Sequence, residues 1–263
     1  MKFAVNFSFP LIQLLKKGSV TIDRIKCPDW EGMIKEAETF GEITVHFDMK
    51  AGLGNTFDVD FTRIKAIKDH TATPHINTHL VTPKNLDQEN TEEVKKINHL
   101  WREEILIMID HFGVESVALE HFPYTLTTPH LRPAVESKSF SQVILDTNCT
   151  FLLDLSHASI TADALSMDVK DYIRSLPVDR LVEMHITGVQ LFAGVLTDHF
   201  AMQDRDWELF AWALDQIKKG YWQKPEIVAF EYGGVGNSFA WRTDENILRT
   251  QVPLLYEMTH AIR

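Results

Sequence analysis

Residues of the types that bind metal ions recur along this sequence, each near the end of a short apolar segment. His46 lies near the end of one such segment, His79 near the end of the next, and Glu120 ends the one after that. Imidazole and carboxylate groups are common protein ligands of zinc, iron and manganese. Six successive segments carry such residues, and the candidate ligands taken from them are His46, His79, Glu120, Asp154, His157, His185 and Glu231.

Two further candidates, Asp198 and His199, are adjacent in the long segment after the seventh apolar run. An aspartate and a histidine in such a loop can complete a metal site. Alternatively the loop is merely polar, and Asp206 caps the helix that follows it. Glu183 lies two residues before His185 and either joins the site or pairs with a neighbour.

Eight short strands are needed to position these residues. Segments rich in β-branched and aliphatic residues predict strands at Phe3–Phe7, Thr21–Ile25, Ile43–Phe47, His75–Leu80, Val117–Glu120, Phe151–Leu155, Leu181–Ile186 and Ile227–Glu231. Amphipathic stretches between them predict helices, including Trp30–Phe40, Thr91–Phe112, Asp206–Lys219 and Thr243–Ile262, with a kink or a new first turn at Pro253.

Eight strand–helix units in 263 residues predict an α/β fold, a (β/α)8 TIM barrel that forms a single domain over residues 1–263. The alternative is an open doubly wound sheet. The first strand–helix turn, Phe7-Ser8-Phe9-Pro10, lacks the glycines of a dinucleotide-binding site, which argues against that alternative.

Strand alternation predicts which way the carboxylates point. Glu120 shares a face with Ala118, and Glu231 with Ala229, whereas bulky residues such as Leu119 occupy the opposite face. The carboxylates should therefore point into the barrel mouth, where TIM-barrel enzymes carry their active sites. Unpaired carboxylates are costly in an apolar interior, so these must be paired or must hold cations. The candidates exceed what one tetrahedral ion needs, which favours a centre with several metals.

Composition and charge exclude several classes of protein. The formal net charge of −11 disfavours nucleic acid as a partner. No apolar run approaches the roughly 18 residues of a membrane span, and the N-terminus does not resemble a signal peptide. Cys27 and Cys149 are expected to be reduced, which favours a cytoplasmic location.

Several motifs in the second half of the chain resemble a known family. Asp154-Leu-Ser-His157, Glu183-Met-His185-Ile-Thr-Gly188, the Asp198-His199 loop and Glu231-Tyr-Gly-Gly234 are similar to motifs of the multinuclear non-haem iron-dependent oxidative enzymes, within the xylose-isomerase-like TIM barrel superfamily. The resemblance runs from His46 to Gly234. It implies two or three divalent metal ions, iron ahead of zinc or manganese, bound by His46, His79, Glu120, Asp154, His157, His185, His199 and Glu231.

The activity implied by this resemblance is oxidation of a peptide with O2 as co-substrate, often at a cysteine of a ribosomally made precursor. A partner protein that binds the precursor peptide is common in the family. The chain departs from the pattern where the family has Asp-x-His, because Asp198 and His199 are adjacent here. If Thr197 takes the aspartate position instead, one metal would be weakened or lost. His121 stands where the family often has asparagine, and its role is left open.

Three other functions are compatible with the same ligand types. The order of ligands also resembles the trinuclear zinc apurinic-site endonucleases, which implies a metal-dependent phosphodiesterase. The superfamily also implies a sugar isomerase or epimerase, acting on a small molecule. A non-enzymatic alternative is a metal-carrying scaffold that recruits a peptide-binding partner. The acidic charge and the scarcity of arginine at the strand ends favour the oxidative enzyme.

Overall fold

Nine parallel strands form one curled sheet, and a separate antiparallel hairpin stands beside it. The computed structural model describes residues 1–262. The strands are β1 (Lys2–Asn6), β2 (Arg24–Pro28), β3 (Ile43–His46), β4 (Met49–Ala51), β5 (Ile76–Leu80), β6 (Val117–His121), β7 (Thr150–Asp154), β8 (Leu181–Ile186), β9 (Gly188–Phe192), β10 (Val195–Phe200) and β11 (Ile227–Phe230). The hairpin is made of β9 and β10.

The two end strands of the sheet are consecutive in the chain, which closes the sheet into a barrel. The strand order is β3-β2-β1-β11-β8-β7-β6-β5-β4, and the segment between β3 and β4 is Phe47-Asp48. Together they act as one bent strand, whose first part pairs with β2 and whose second part pairs with β5. Eight strand positions result, so the predicted (β/α)8 barrel is confirmed.

Helices surround the sheet. They are α1 (Phe9–Lys16), α2 (Glu31–Ala37), α3 (Phe61–Thr71), α4 (Thr91–Phe112), α5 (Arg132–Val135), α6 (Ser137–Thr147), α7 (Leu155–Ala164), α8 (Val169–Arg174), α9 (Asp204–Lys218) and α10 (Glu245–His260). Pro253 lies inside α10 and does not start a new helix. Across residues 1–262, none of these helices has the length and apolarity that a membrane crossing requires.

The predicted alternation of side chains is confirmed. The outward residues Val117, Leu119, Val228 and Phe230 are buried in the main core between sheet and helices. Small inward clusters fill the barrel interior, one of Ala4, Ile227 and Ala229 and another of Ala118, Leu152 and Val182. The barrel floor is thus apolar and well filled, and the polar groups lie towards the carboxyl ends of the strands.

Two predicted boundaries were wrong in ways that bear on the site. β2 runs from Arg24 to Pro28 and not over Thr21–Ile25, because its pairing with β1 begins at Arg24 and its pairing with β3 extends to Pro28. The shift places Lys26 inside the barrel, since Ile25 and Cys27 on either side of it join the outer core. Asp206 is not the N-cap of α9: Gln203 caps this helix, and Asp206 completes a capping box with it.

Candidate metal centre

Seven of the nine sequence-predicted ligands meet at the carboxyl ends of the barrel strands. Their donor atoms form three groups, in each of which the atoms lie within 4.8 Å of one another. One group joins β3, β5 and β6, another joins β3, β8 and the residue after β11, and the third joins β6, β7 and the first turn of α7. The groups are His46/His79/Glu120, His46/His185/Glu231 and Glu120/Asp154/His157.

Asp154 has one oxygen in use and one without a partner. It ends β7 and caps α7, where its Oδ1 accepts hydrogen bonds from the amides of Ser156 (2.6 Å) and His157 (2.9 Å). Its Oδ2 is buried and has no hydrogen-bond partner among the described residues. Burial raises the pKa of Asp154, because the charged form is poorly solvated. The cap therefore fixes this carboxylate with a free oxygen aimed at the centre.

His157 is oriented by the backbone. Its Nδ1 lies 3.0 Å from the carbonyl oxygen of His121, which can only accept, so Nδ1 is the donor. This leaves Nε2 facing the carboxylates, 3.2 Å from Oδ2 of Asp198 and 3.6 Å from Oδ2 of Asp154. Burial opposes protonation, but the charges of Asp154, Asp198 and Glu120 raise the pKa of His157 well above its usual value. A cation would meet the same favourable field.

Glu120 is the central carboxylate and belongs to two of the three groups of donor atoms. Its Oε2 lies 3.2 Å from Nε2 of His79, and its Oε1 lies 3.4 Å from Nδ1 of His157 and 3.6 Å from Nδ1 of His185. Burial favours the neutral acid, yet the interactions with His79 and His185 hold the pKa of Glu120 well below its usual range. The charged form therefore dominates, as a metal ligand requires.

Unpartnered buried atoms test whether these residues suit a metal ion. Glu120 Oε2, Asp154 Oδ2 and His79 Nδ1 are buried and make no hydrogen bond to any residue of the described chain. Buried polar atoms are nearly always satisfied in proteins, so such a concentration at one place calls for a ligand. Oxygen and nitrogen donors around a strongly negative point fit divalent cations well.

Deeper in the barrel, Glu183 belongs to a different kind of cluster. Nε2 of His75 lies 2.5 Å from one of its oxygens, and Nε2 of His185 lies 2.8 Å from the other. Burial opposes ionisation of Glu183, but these two partners hold its pKa well below the usual value. Glu183 therefore pairs with its neighbours, which is one of the two alternatives that the sequence left open.

Lys26 is the site residue that sequence reasoning missed. Its ammonium group contacts Oε1 of Glu231 and lies 2.7 Å from Nε2 of His185. The side chain is 3% exposed. One signal was available: Lys26 is an ionisable residue between the apolar Ile25 and Cys27, in a strand whose neighbours face the outer core. The misplaced boundary of β2 concealed that pattern.

Asp198 and His199 lie in β10 and line the same cavity, outside the three groups of donor atoms. His199 has a positive φ of 60°, its ring packs 4.4 Å from that of Phe239, and its Nδ1 is buried without a partner among the described residues. Asp198 reaches His157, whereas the Thr197 hydroxyl donates to the carbonyl of Val195 at 3.1 Å. The structure thus places Asp198, and not Thr197, at the cavity.

His121 faces away from the centre. It is fully buried, and its ring packs against Phe140 and Tyr172, with centroids 5.8 and 5.9 Å away. Burial, with a smaller contribution from the charge of His157, lowers the pKa of His121 to about 3. It shares the outward face of β6 with Leu119, so its role in the structure is packing behind the sheet.

A cavity of about 490 Å³ opens above these groups. Its rim carries Trp30, Phe122 and Phe239, and its base includes His46, His79, Glu120, His157, Asp198, His199 and Glu231. Among the described residues that line it, Lys26 is the one lysine or arginine, and Glu231 already neutralises it. The cavity therefore offers carboxylate and imidazole groups as metal ligands beneath an apolar rim.

Comparison with known proteins gives a family match over part of the chain. A model of the family described as RiPP precursor modification enzyme MbnB/TglH/ChrH matches residues 103–221. A UPF0276 protein of Acaryochloris marina is 22% identical over 209 residues, which cover 77% of this chain and 70% of the relative. These matches confirm the resemblance that the motifs indicate.

Solved structures agree on the fold. An IolI protein with a bound zinc atom has a TM-score of 0.65 at 16% identity, covering 100% of this chain and 99% of its own. A D-psicose 3-epimerase of Clostridium cellulolyticum H10, crystallised with D-tagatose, has a TM-score of 0.58 at 15% identity with the same coverage. At these identities the likeness shows a shared barrel, in keeping with the xylose-isomerase-like architecture.

Proposed function

We propose that this metal-dependent TIM-barrel enzyme is an oxidoreductase that oxidises a peptide at cysteine with O2. The observation that carries the proposal is the meeting of unpartnered buried donors, Glu120 Oε2, Asp154 Oδ2 and His79 Nδ1, at the base of one cavity. The family match supports a peptide as the substrate. The proposed ligand set of two or three divalent ions is His46, His79, Glu120, Asp154, His157, His185, Asp198, His199 and Glu231.

Iron is the metal that this mixture of donors suits best. Neutral imidazoles together with several carboxylates favour iron or manganese, whereas structural zinc is typically bound by cysteine thiolates. Glu120 belongs to two donor groups and could hold an ion in each of them. When bound, iron would supply the redox chemistry with oxygen that amino-acid side chains lack.

The chain's own residues position the substrate and shield it. Trp30, Phe122 and Phe239 form an apolar rim that would enclose a small side chain and keep bulk water from the base of the cavity. Asp198 and His157 stand together at that base. A cysteine side chain is short enough to enter while its peptide lies across the rim.

The lining argues against the phosphodiesterase alternative. Phosphate recognition relies on arginine and lysine, and in the part of the chain that the structure describes the cavity holds Lys26 alone, already paired with Glu231. A cytoplasmic location is included in the proposal, because both Cys27 and Cys149 are unpaired and buried. A partner protein that presents the peptide is also proposed, from the family match alone.

Oxygen uptake tests this function. Protein purified without oxygen and loaded with ferrous iron is mixed with a pool of short cysteine peptides, and oxygen consumption and peptide mass are followed. The expected result is uptake that requires iron and cysteine, with no uptake when serine replaces cysteine and a large loss in Glu120→Gln. Parallel incubations use an abasic-site DNA duplex and D-fructose. Metal-dependent strand cleavage or sugar epimerisation, without oxygen uptake, would overturn the proposal.

A further inference from the structure

A buried lysine shares the candidate metal centre. Lys26 enters from β2, and its ammonium group contacts Glu231 Oε1 and lies 2.7 Å from Nε2 and 3.4 Å from Nδ1 of His185. Both partners belong to the His46/His185/Glu231 group of donor atoms. The positively charged Lys26 therefore contacts the same side chains that would bind a metal ion there.

The contacts of His185 leave its Nδ1 facing Lys26. Nε2 of His185 lies 2.8 Å from Oε1 of Glu183 and 2.7 Å from Nζ of Lys26. Because the carboxylate of Glu183 can only accept, Nε2 of His185 donates to it and Nδ1 keeps the free lone pair. That Nδ1 lies 3.5 Å from Oε1 of Glu231 and 3.4 Å from Nζ of Lys26, so the ammonium stands close to where an ion bound by both atoms would lie.

Charge balance favours the lysine over a third ion. Within residues 1–262, five carboxylates lie in the barrel interior or at the base of the cavity above it, those of Glu120, Asp154, Glu183, Asp198 and Glu231. When metal binding holds the histidines neutral, Lys26 and two divalent ions neutralise these carboxylates. A third divalent ion would leave two positive charges uncompensated in a buried site, which is strongly unfavourable.

We propose that the Lys26 ammonium takes the place of one metal ion beside Glu231 and His185, so that the centre binds two divalent ions and not three. This inference rests on the metal centre of the proposed function. One ion then lies at His46/His79/Glu120 and the other at Glu120/Asp154/His157, with Glu120 between them. Of the nine candidate ligands, His185 and Glu231 hold the ammonium.

Metal counting tests the inference in the whole protein. The wild type and two variants are loaded with ferrous iron without oxygen, freed of excess metal and analysed for iron per chain. Lys26→Met removes the charge at similar length and should bind one ion more than the wild type. Lys26→Arg keeps a cation and is the matched control, which should bind as many ions as the wild type. Thermal unfolding confirms that each variant is folded.

A wild-type measurement keeps the test independent of how the variants fold. Anomalous scattering at the iron edge from crystals of the loaded wild type should show two peaks, neither within bonding distance of Glu231. A peak bonded to both Glu231 and His185 would overturn the inference, as would equal iron content in the wild type and folded Lys26→Met. A wild type that binds no iron would instead overturn the metal centre itself, and the inference with it.

Discussion

Two clusters of buried polar side chains lie within a few ångströms of each other in this barrel. They differ in whether their polar atoms have hydrogen-bond partners. In the deep cluster, Glu183 has a histidine on each oxygen. In the mouth cluster, Glu120 and Asp154 each keep a buried oxygen that has no hydrogen-bond partner in residues 1–262. Glu183 is 5% exposed and Glu120 is 1% exposed, so burial does not separate them.

The paired residues of the deep cluster support the barrel, whereas the residues of the mouth cluster have atoms free to bind a ligand. A paired buried carboxylate contributes to the stability of the fold, because removing it leaves its partners unsatisfied. An unpaired one costs stability in the absence of a ligand, and that cost is recovered when a cation binds. The two clusters should therefore respond in opposite ways to the same chemical change.

Glu120→Gln should have the largest effect on metal binding. The substitution keeps the shape but removes the charge that both proposed ions share, so we expect loss of both ions. The metal-free variant should lose less stability than Glu183→Gln, because the approach of Glu120 Oε2 to His79 Nε2 at 3.2 Å does not make a hydrogen bond. Metal analysis checks the expected loss of ions, and chemical denaturation checks the expected stability. Retention of full metal content would show that Glu120 is not a ligand.

Glu183→Gln is the matched change in the deep cluster. It should lower the free energy of unfolding by about 3 kcal/mol, since His75 loses a charged partner in a buried site. Metal content should stay at the wild-type value, because Glu183 belongs to none of the three donor groups. If Glu183→Gln loses metal and keeps its stability, the distinction between the clusters is wrong.

Asp154 combines both roles, and two substitutions separate them. Asp154→Asn keeps an oxygen that can cap α7 and loses the free carboxylate oxygen, so one ion should be lost with a small change in stability. Asp154→Ala should lose the same ion and about 1 kcal/mol more stability, because the cap is removed. Equal stability of the two variants in denaturant titrations would contradict the capping role.

His199→Ala should have the smallest effect on metal. His199 lies in the β9–β10 hairpin and not on a barrel strand, and its donor atom lies outside the three groups. Ligands on such peripheral elements tend to serve the more exchangeable position. We expect reduced occupancy of one ion while the other remains, measured as iron retained after dialysis. Loss of both ions, or of neither, would contradict this partition.

Much of this arrangement could be predicted from the sequence. β8 and α4 match their predicted limits, because strong apolar alternation or helical periodicity and clear end signals mark them. The convergence of residues such as Glu120 and Glu231 follows from strand parity together with the barrel, since the carboxyl ends of parallel strands meet at one end.

The rest depends on contacts that no local pattern encodes. The start of β2 is fixed by its pairing with β1, so the alternation of Ile25, Lys26 and Cys27 becomes recognisable as a strand pattern only when that pairing is known. Nor could the sequence distinguish Glu183 from Glu120, because both are acids at the inward face of a strand. Their difference lies in His75, a residue 108 positions from Glu183 in the chain.

The metal content of the wild type, purified without oxygen and without added metal, tests the central claim most directly. The proposal that unpartnered donors at the mouth form a multinuclear iron centre predicts about two irons per chain, as expected when Glu120 bridges neighbouring ions. The iron should be absent from Glu120→Gln prepared in parallel. Stoichiometric zinc with little iron, or no transition metal at all, would contradict it.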